Sequence, residues 1–422
     1  MPNVRSRARR FRQSPTIQAI IRTAGFNVVN TVLAGVGGIL VARVLGASGR
    51  GDYAVLMTWL GLALIVGELG QTASVTYHVA RNPERARDYV ATSVRTMIVS
   101  GLLCLPLAFV FAKYLSDGRD ARESAFQILA LVLPVAFVAA SFTFALQATR
   151  IDLWNWVRFS QPFVWFMVLV PLAYFGGVSL THLMWIYLSS VVLQFGIALW
   201  FCKKTSLLRG RYEGKFLRPM LVYGLSHLAS TLPAGLIRQL DVLFLAVFVS
   251  ASQVGHYAVA VAYASLSFPL AAAVGSVLFP RQARLGSPNR TLRRSVFLVS
   301  LATMLCMVPM ILVAPFLLPL VFGDDFSASV SILWFLFPSL LALSANQVCG
   351  DLLRGMGKPQ SVAWATWISL VVLVVLLFFL VPSSGIRGAA ISTSIAQVVA
   401  CGTLMFLLFR KNSGVLEEGA NL

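Results

Sequence analysis

Long apolar runs separated by short polar breaks dominate this chain. Twelve runs approach the roughly 20 residues needed to cross a bilayer as a helix. They lie near 17–45, 52–80, 89–115, 122–149, 153–175, 178–202, 219–249, 252–280, 294–321, 327–353, 360–381 and 386–409. The pattern predicts an all-α polytopic membrane protein with about twelve transmembrane helices. Prolines inside the runs, such as Pro106, Pro134, Pro171, Pro233 and Pro338, predict kinks, which bilayer helices tolerate when neighbours satisfy the freed backbone groups. The first run follows Arg5, Arg7, Arg9, Arg10 and Arg12, like a signal peptide. It is far longer than the roughly 7–15 residues of a signal h-region, so it reads as a retained span.

The order of polar positions repeats. Gly51-Asp52-Tyr53-Ala54-Val55 recurs as Gly255-His256-Tyr257-Ala258-Val259, displaced by 204 residues. The same shift carries Arg150 onto Arg354. An internal duplication follows, with two pseudo-symmetric six-helix bundles at 17–202 and 219–410. A basic linker (203–218) would join them, with cytoplasmic tails at 1–16 and 411–422. The two pentapeptides fall between the first and second helices of their lobes, and are expected to form structural corners.

Composition agrees with this division. The chain is 58% hydrophobic and 12% charged, which leaves no separate water-soluble domain. Lys and Arg also set the orientation, because they collect on the cytoplasmic side. With the amino terminus inside, twenty-seven of the 34 lie in cytoplasmic segments and six in outer ones, with Arg238 inside a span. Both termini are therefore expected in the cytoplasm. The net charge of +19 reads as this topological signal plus attraction to anionic membrane lipids, with no nucleic-acid partner. Cys104, Cys202, Cys306, Cys349 and Cys401 stand singly, so neither a disulfide framework nor a metal site is expected. No nucleotide-binding, dinucleotide-binding or hydrolase motif occurs, so no cofactor and no enzymatic activity are expected. Asp324-Asp325 reads as an acidic helix start.

Candidate chemistry concentrates in the seventh run. His227, Ser230, Thr231, Ala234, Arg238 and Asp241 recur at helical spacing and would share one face. Shifted back by 204, that face becomes Thr23, Phe26, Asn27, Asn30, Ala34 and Gly37, again polar and small. Charges inside a bilayer are costly and face cavities or one another. Arg238 and Asp241 are therefore candidates for a lumen, or for a mutual pair. Asn27, Asn30, His227 and Thr231 could line the same lumen, or join helices through hydrogen bonds. Arg22 and Arg95, near the cytoplasmic ends of their helices, would line an inner vestibule or reach lipid headgroups. Glu68, beside Gln71 and Thr72, is a candidate for ion coupling or charge balance, as is Asp241. Arginine suits phosphate through its paired donors, so an anionic cargo is expected.

Ala42-Arg43-Val44-Leu45-Gly46 followed by Gly51-Asp52-Tyr53-Ala54 resembles the opening of polysaccharide and O-antigen flippases. These belong to the multidrug/oligosaccharidyl-lipid/polysaccharide (MOP) exporter superfamily. Phe322-Gly323-Asp324-Asp325-Phe326 is similar to an outer loop of that family, and Leu353-Arg354-Gly355-Met356-Gly357-Lys358 to the end of its tenth helix. Ala47 departs from a common proline. The resemblance implies a MATE/MOP-like fold that flips a polyprenyl-diphosphate-linked oligosaccharide by alternating access. It would act in a bacterial cytoplasmic membrane, with other membrane proteins of polysaccharide assembly as partners. It also implies diphosphate recognition by cavity arginines, here Arg238, Arg22 and Arg95. Two alternatives stay open: a cation-coupled multidrug exporter of the same fold, and a membrane-embedded glycan polymerase or transferase.

Overall fold

The computed structural model describes residues 15–116, 118–265, 290–355 and 358–409. Nearly all of the expected tail 1–16, the second half of the eighth span, most of the basic loop before the ninth, Met356-Gly357 and the tail 411–422 lie outside the described residues.

Among the described residues every regular element is helical. Unit 1 holds α1 (Pro15–Gly67), α2 (Gln71–Arg81), α3 (Ala86–Leu115), α4 (Asp120–Thr149), α5 (Ile151–Phe175) and α6 (Leu180–Lys204). Then comes α7 (Gly214–Ile237), which runs across the boundary between the units. Unit 2 continues with α8 (Leu240–Phe248), α9 (Ala251–Ala264), α10 (Arg290–Phe322), α11 (Ser329–Gly355) and α12 (Pro359–Phe409). Among the described residues eight helices are long and apolar enough to cross a membrane.

Two of them are each a pair of limbs. α1 folds at Gly46 (φ 65°, ψ −173°) and α12 at Gly385 (φ 54°, ψ −130°). Both backbones are left-handed at the bend, a conformation that costs an L side chain about 1–2 kcal/mol. In unit 2 the matching corner is Ser250, which caps α9 by accepting from the Gln253 N–H. Gly46 and Ser250 are themselves 204 residues apart. The repeated pentapeptides are therefore not the corners. They lie inside helices just past them, with Val55, Ala54, Tyr257, Ala258 and Val259 buried. Small and apolar positions recur there because helices pack on them.

Two expected spans are interrupted. The second stops at Gly67 and resumes at Gln71, with Leu69 (φ 50°) and Gly70 (φ 67°) both left-handed. The seventh stops at Ile237 and resumes at Leu240, and the Gln239 N–H bonds the Leu236 carbonyl across the break. Each break reads in the sequence as a charged residue and its neighbours inside one span, because Glu68-Leu69-Gly70 and Arg238-Gln239 are too short to divide an apolar run.

The chain parts into two compact units at Leu232–Pro233, beyond the end of the basic segment 203–218. That segment is packed rather than loose. It contains the one-turn 3₁₀ helix Leu207–Arg209, with Leu207 buried. The Arg211 N–H donates to Asp88, and the Arg95 guanidinium lies 4.4 Å from the Tyr212 ring centre. A core of Val75, Val79, Tyr89, Phe142, Leu146, Trp154, Phe216 and Met220 joins α2, α3, α4, α5 and the start of α7. In unit 2, Val348, Cys349, Leu352 and Leu353 pack against Ala365, Leu404 and Leu408. Asp324–Phe326 forms a single 3₁₀ turn ahead of α11, and its Phe326 is buried.

Candidate functional site

The sequence-predicted residues divide between the units and between two kinds of environment. On α1, the first turns are used to hold α5. Arg22 pairs with Asp152 at 3.4 Å, with both side chains exposed, a contact worth about 0–1 kcal/mol. Asn155 donates to the Thr23 hydroxyl at 2.9 Å. Phe26 meets Trp156 and Phe159 edge-on, with centroids 5.2 and 5.7 Å away. Farther along, Asn27 is exposed, and Asn30 is half-buried with its Oδ1 unbonded. One polar stripe thus serves as glue at its start and stays open later.

α7 behaves differently. His227, Ser230 and Thr231 are exposed, and both hydroxyls bond back to the His227 carbonyl, at 2.7 and 3.0 Å. Arg238 is exposed in the break after α7. The ion pairs found among the described residues do not include it. Asp241 is 5% exposed and takes a hydrogen bond from the Tyr257 hydroxyl at 2.7 Å. Its other oxygen accepts from the Val242 N–H at 2.8 Å. The carboxylate is therefore occupied by α9 and by its own helix start. The break at 238–239 takes Arg238 off the helical face that the spacing placed it on.

Glu68 stands at the interruption between α1 and α2, where its side chain interacts with Thr72 and its carbonyl accepts from the Gln71 N–H. Next to it two backbones of unit 1 cross closely. A methyl built on Gly70 would meet the Gly224 carbonyl oxygen at 2.0 Å, so α7 and the break touch backbone to backbone. Ser74 reinforces the contact by donating to the Met220 carbonyl at 2.9 Å.

Beyond that crossing α2, α4 and α7 diverge around a cavity of about 800 Å³ inside unit 1. α2 supplies Thr72, Thr76, Tyr77 and Arg81, α4 supplies Phe144 and Gln147, and α7 supplies Tyr223 and His227. The spacings are i, i+4 on α2 and α7 and i, i+3 on α4, which put each set on one helical face. Tyr77 and Tyr223 stack at 4.3 Å and 13°. Arg81 donates to the Tyr77 hydroxyl and lies 5.8 Å from that ring centre. The Thr76 hydroxyl bonds the Phe144 carbonyl and contacts Gln147 Oε1 at 3.3 Å. The wall is thus aromatic with one fixed cation and several hydroxyl and amide groups, the make-up of a small-molecule site.

Of the predicted residues only His227 lines this cavity. Tyr77, Arg81, Gln147 and Tyr223 were not singled out from the sequence. Arg81 read as one more positive charge at a helix end, and tyrosines within apolar runs carry no signal by themselves. The i, i+4 pairing of Tyr77 with Arg81 and of Tyr223 with His227 was the available clue.

Residues 17–286 match the sequence profile of the family described as "Polysaccharide biosynthesis protein". A relative described as "Probable low-salt glycan biosynthesis flippase Agl15", from Haloferax volcanii, is 23% identical over 88% of this chain and 79% of its own. Among solved structures, an inward-facing MATE-family multidrug resistance transporter superposes with a TM-score of 0.72 at 14% identity. It covers 91% of this chain and 96% of its own. The "Lipid II flippase MurJ, inward closed conformation" also superposes at 0.72, at 13% identity, covering 92% of this chain and 87% of its own. The fold is thus that of MATE and MurJ, and the chain is a multi-pass membrane protein. With 17–286 matched, well over half its length, the protein belongs to the polysaccharide biosynthesis protein family.

Proposed function

We propose that this protein is a flippase that carries a polyprenyl-diphosphate-linked oligosaccharide across the cytoplasmic membrane by alternating access, for surface polysaccharide assembly. The family match over 17–286 carries this reading. The glycan-flippase name of the Haloferax relative and the fold held in common with a lipid flippase support it. Both termini are placed in the cytoplasm on the strength of the Lys and Arg bias. The cargo needs a cationic contact for its diphosphate, and Arg238, exposed beside a helix break, has the chemistry to supply one. Asn27, Asn30, His227 and Thr231 are proposed to line the route, with Arg22 and Arg95 near its cytoplasmic mouth. Asp241, tied to Tyr257, is better suited to holding α8 against α9 than to touching the cargo.

A cation-coupled drug exporter would use the same fold. The first limb of α1 carries no Asp or Glu, which weighs against a coupling carboxylate there. The test is complementation of a strain that lacks the protein. Arg238→Ala is expected to abolish surface glycan while protein level stays normal. Intact glycan would remove the arginine's role. Drug export by the reconstituted protein, without movement of a sugar lipid, would overturn the proposal itself.

A further inference from the structure

We propose that the cavity between α2, α4 and α7 is a recognition site for a phosphorylated glycosyl headgroup, built wholly within unit 1. This rests on the flippase proposal for the identity of the cargo, but not for the chemistry of the site.

Three observations carry it. The first is an uncompensated cation. Arg81 lines the cavity, and the ion pairs found among the described residues join Arg22 to Asp152, Arg119 and Arg122 to Asp52, Lys215 to Glu213 and Arg354 to Asp351. Arg81 is instead anchored by the neutral Tyr77 hydroxyl, which fixes its direction and leaves its charge for an anion. A planar guanidinium with several donors matches phosphate.

The second is the aromatic wall. Tyr77 and Tyr223 form one stacked slab across two helices, and His78 meets Tyr223 edge-on at 5.8 Å. Such a slab offers an apolar surface with hydroxyl rims, suited to the mixed faces of a sugar ring. Gln147, Thr72 and His227 add hydrogen-bonding groups around it. A purely lipid-facing groove would not gather these groups, since each costs free energy when turned to hydrocarbon.

The third is size. About 800 Å³ lies within the usual range of small-molecule sites, about 300–1,000 Å³, and accommodates a diphosphate with a sugar or two. The Gly70–Gly224 contact adjoins this lining in sequence, two residues before Thr72 and one after Tyr223. The headgroup would lie along α2 from Thr72 towards Arg81, with the phosphate at the Arg81 end.

The test uses the full-length protein in nanodiscs, with dissociation constants measured for four probes. These are inorganic diphosphate, farnesyl diphosphate, farnesyl-diphosphate-linked N-acetylglucosamine, and the free disaccharide of that sugar. The sugar-bearing diphosphate is expected to bind most tightly. Arg81→Ala should weaken all three diphosphate probes by about tenfold or more, and Arg81→Lys should recover part of the loss. Tyr223→Ala should weaken the sugar-bearing probe while sparing inorganic diphosphate. Arg354→Ala, which does not line the cavity, serves as the control.

Unchanged binding in a monodisperse Arg81→Ala protein would overturn the site. Equal affinity for inorganic and sugar-bearing diphosphate would overturn its glycosyl part. If Arg81→Ala fails to fold, thiol labelling of Gln147→Cys replaces it. Protection by the sugar-bearing probe supports the site, and undiminished labelling overturns it. Diphosphate binding through Arg81 in a wild-type protein that moves no sugar lipid would sink the flippase proposal and leave the site. Translocation and binding both intact in Arg81→Ala would do the reverse.

Discussion

Asp241 shows how a carboxylate can be kept inside an apolar helix pair with no cationic partner among the described residues. Its two oxygens are taken by the Tyr257 hydroxyl and the Val242 N–H, and it is 5% exposed. Removing the phenolic donor leaves a buried acceptor short of one bond, a loss of about 1.5–3 kcal/mol for a charged group. Tyr257→Phe is accordingly expected to lower the melting midpoint of the purified protein with little effect on cargo binding. An unchanged midpoint would contradict the tie. Its neighbour Arg238 should behave in the opposite way, since it is exposed. Arg238→Ala is expected to leave the melting midpoint in place and remove transport. At this scale the sequence spacing singled out both residues as costly charges in a span. It could not separate them, because Arg238-Gln239 reads equally as part of a polar helical face and as a break. Tyr257 was visible in the repeated pentapeptide, but as a sign of duplication rather than as the partner of Asp241.

One helix crossing in unit 1 turns on a pair of glycines. The crossing of Gly70 and Gly224 brings two backbones together, and Gly70 is left-handed at φ 67°. Gly70→Ala would add both a left-handed residue, at about 1–2 kcal/mol, and a methyl 2.0 Å from a carbonyl oxygen. A marked fall in melting midpoint or in folded yield is the expected outcome. Gly402→Ala in α12 is the control, since nothing lies within 4 Å of the added methyl, and it should match or exceed the parent in stability. If the two variants melt alike, the close crossing is wrong. Runs of apolar residues located most helices, because a membrane span needs about 20 such residues whatever its neighbours. The breaks between runs also bracketed the two bends, since Gly46 lies between the runs ending at 45 and starting at 52, and Gly385 between those ending at 381 and starting at 386. The pentapeptides drew attention to the right region, yet the bend lies five residues upstream of Gly51, at Gly46. By contrast, the cavity of α2, α4 and α7 was hidden. Its lining comes from three helices whose meeting is set by tertiary packing, and none of the three faces stands out alone.

Across the whole molecule, the family match and the MATE-like fold give a two-unit membrane protein. The Lys and Arg bias adds an orientation, and that orientation is testable. Tags at both ends should be accessible only from the cytoplasmic side, a terminus reached from outside would contradict this orientation, and termini on opposite sides would contradict an even number of spans. The central claim is movement of a sugar lipid, and reconstitution tests it most directly. Proteoliposomes would carry a fluorescent polyprenyl-diphosphate oligosaccharide in one leaflet, and its appearance in the other would be followed by a membrane-impermeant quencher. Protein-dependent translocation is expected, lost in Arg238→Ala and weakened in Arg81→Ala. Translocation no faster than in protein-free liposomes, from protein shown to be folded, would contradict it.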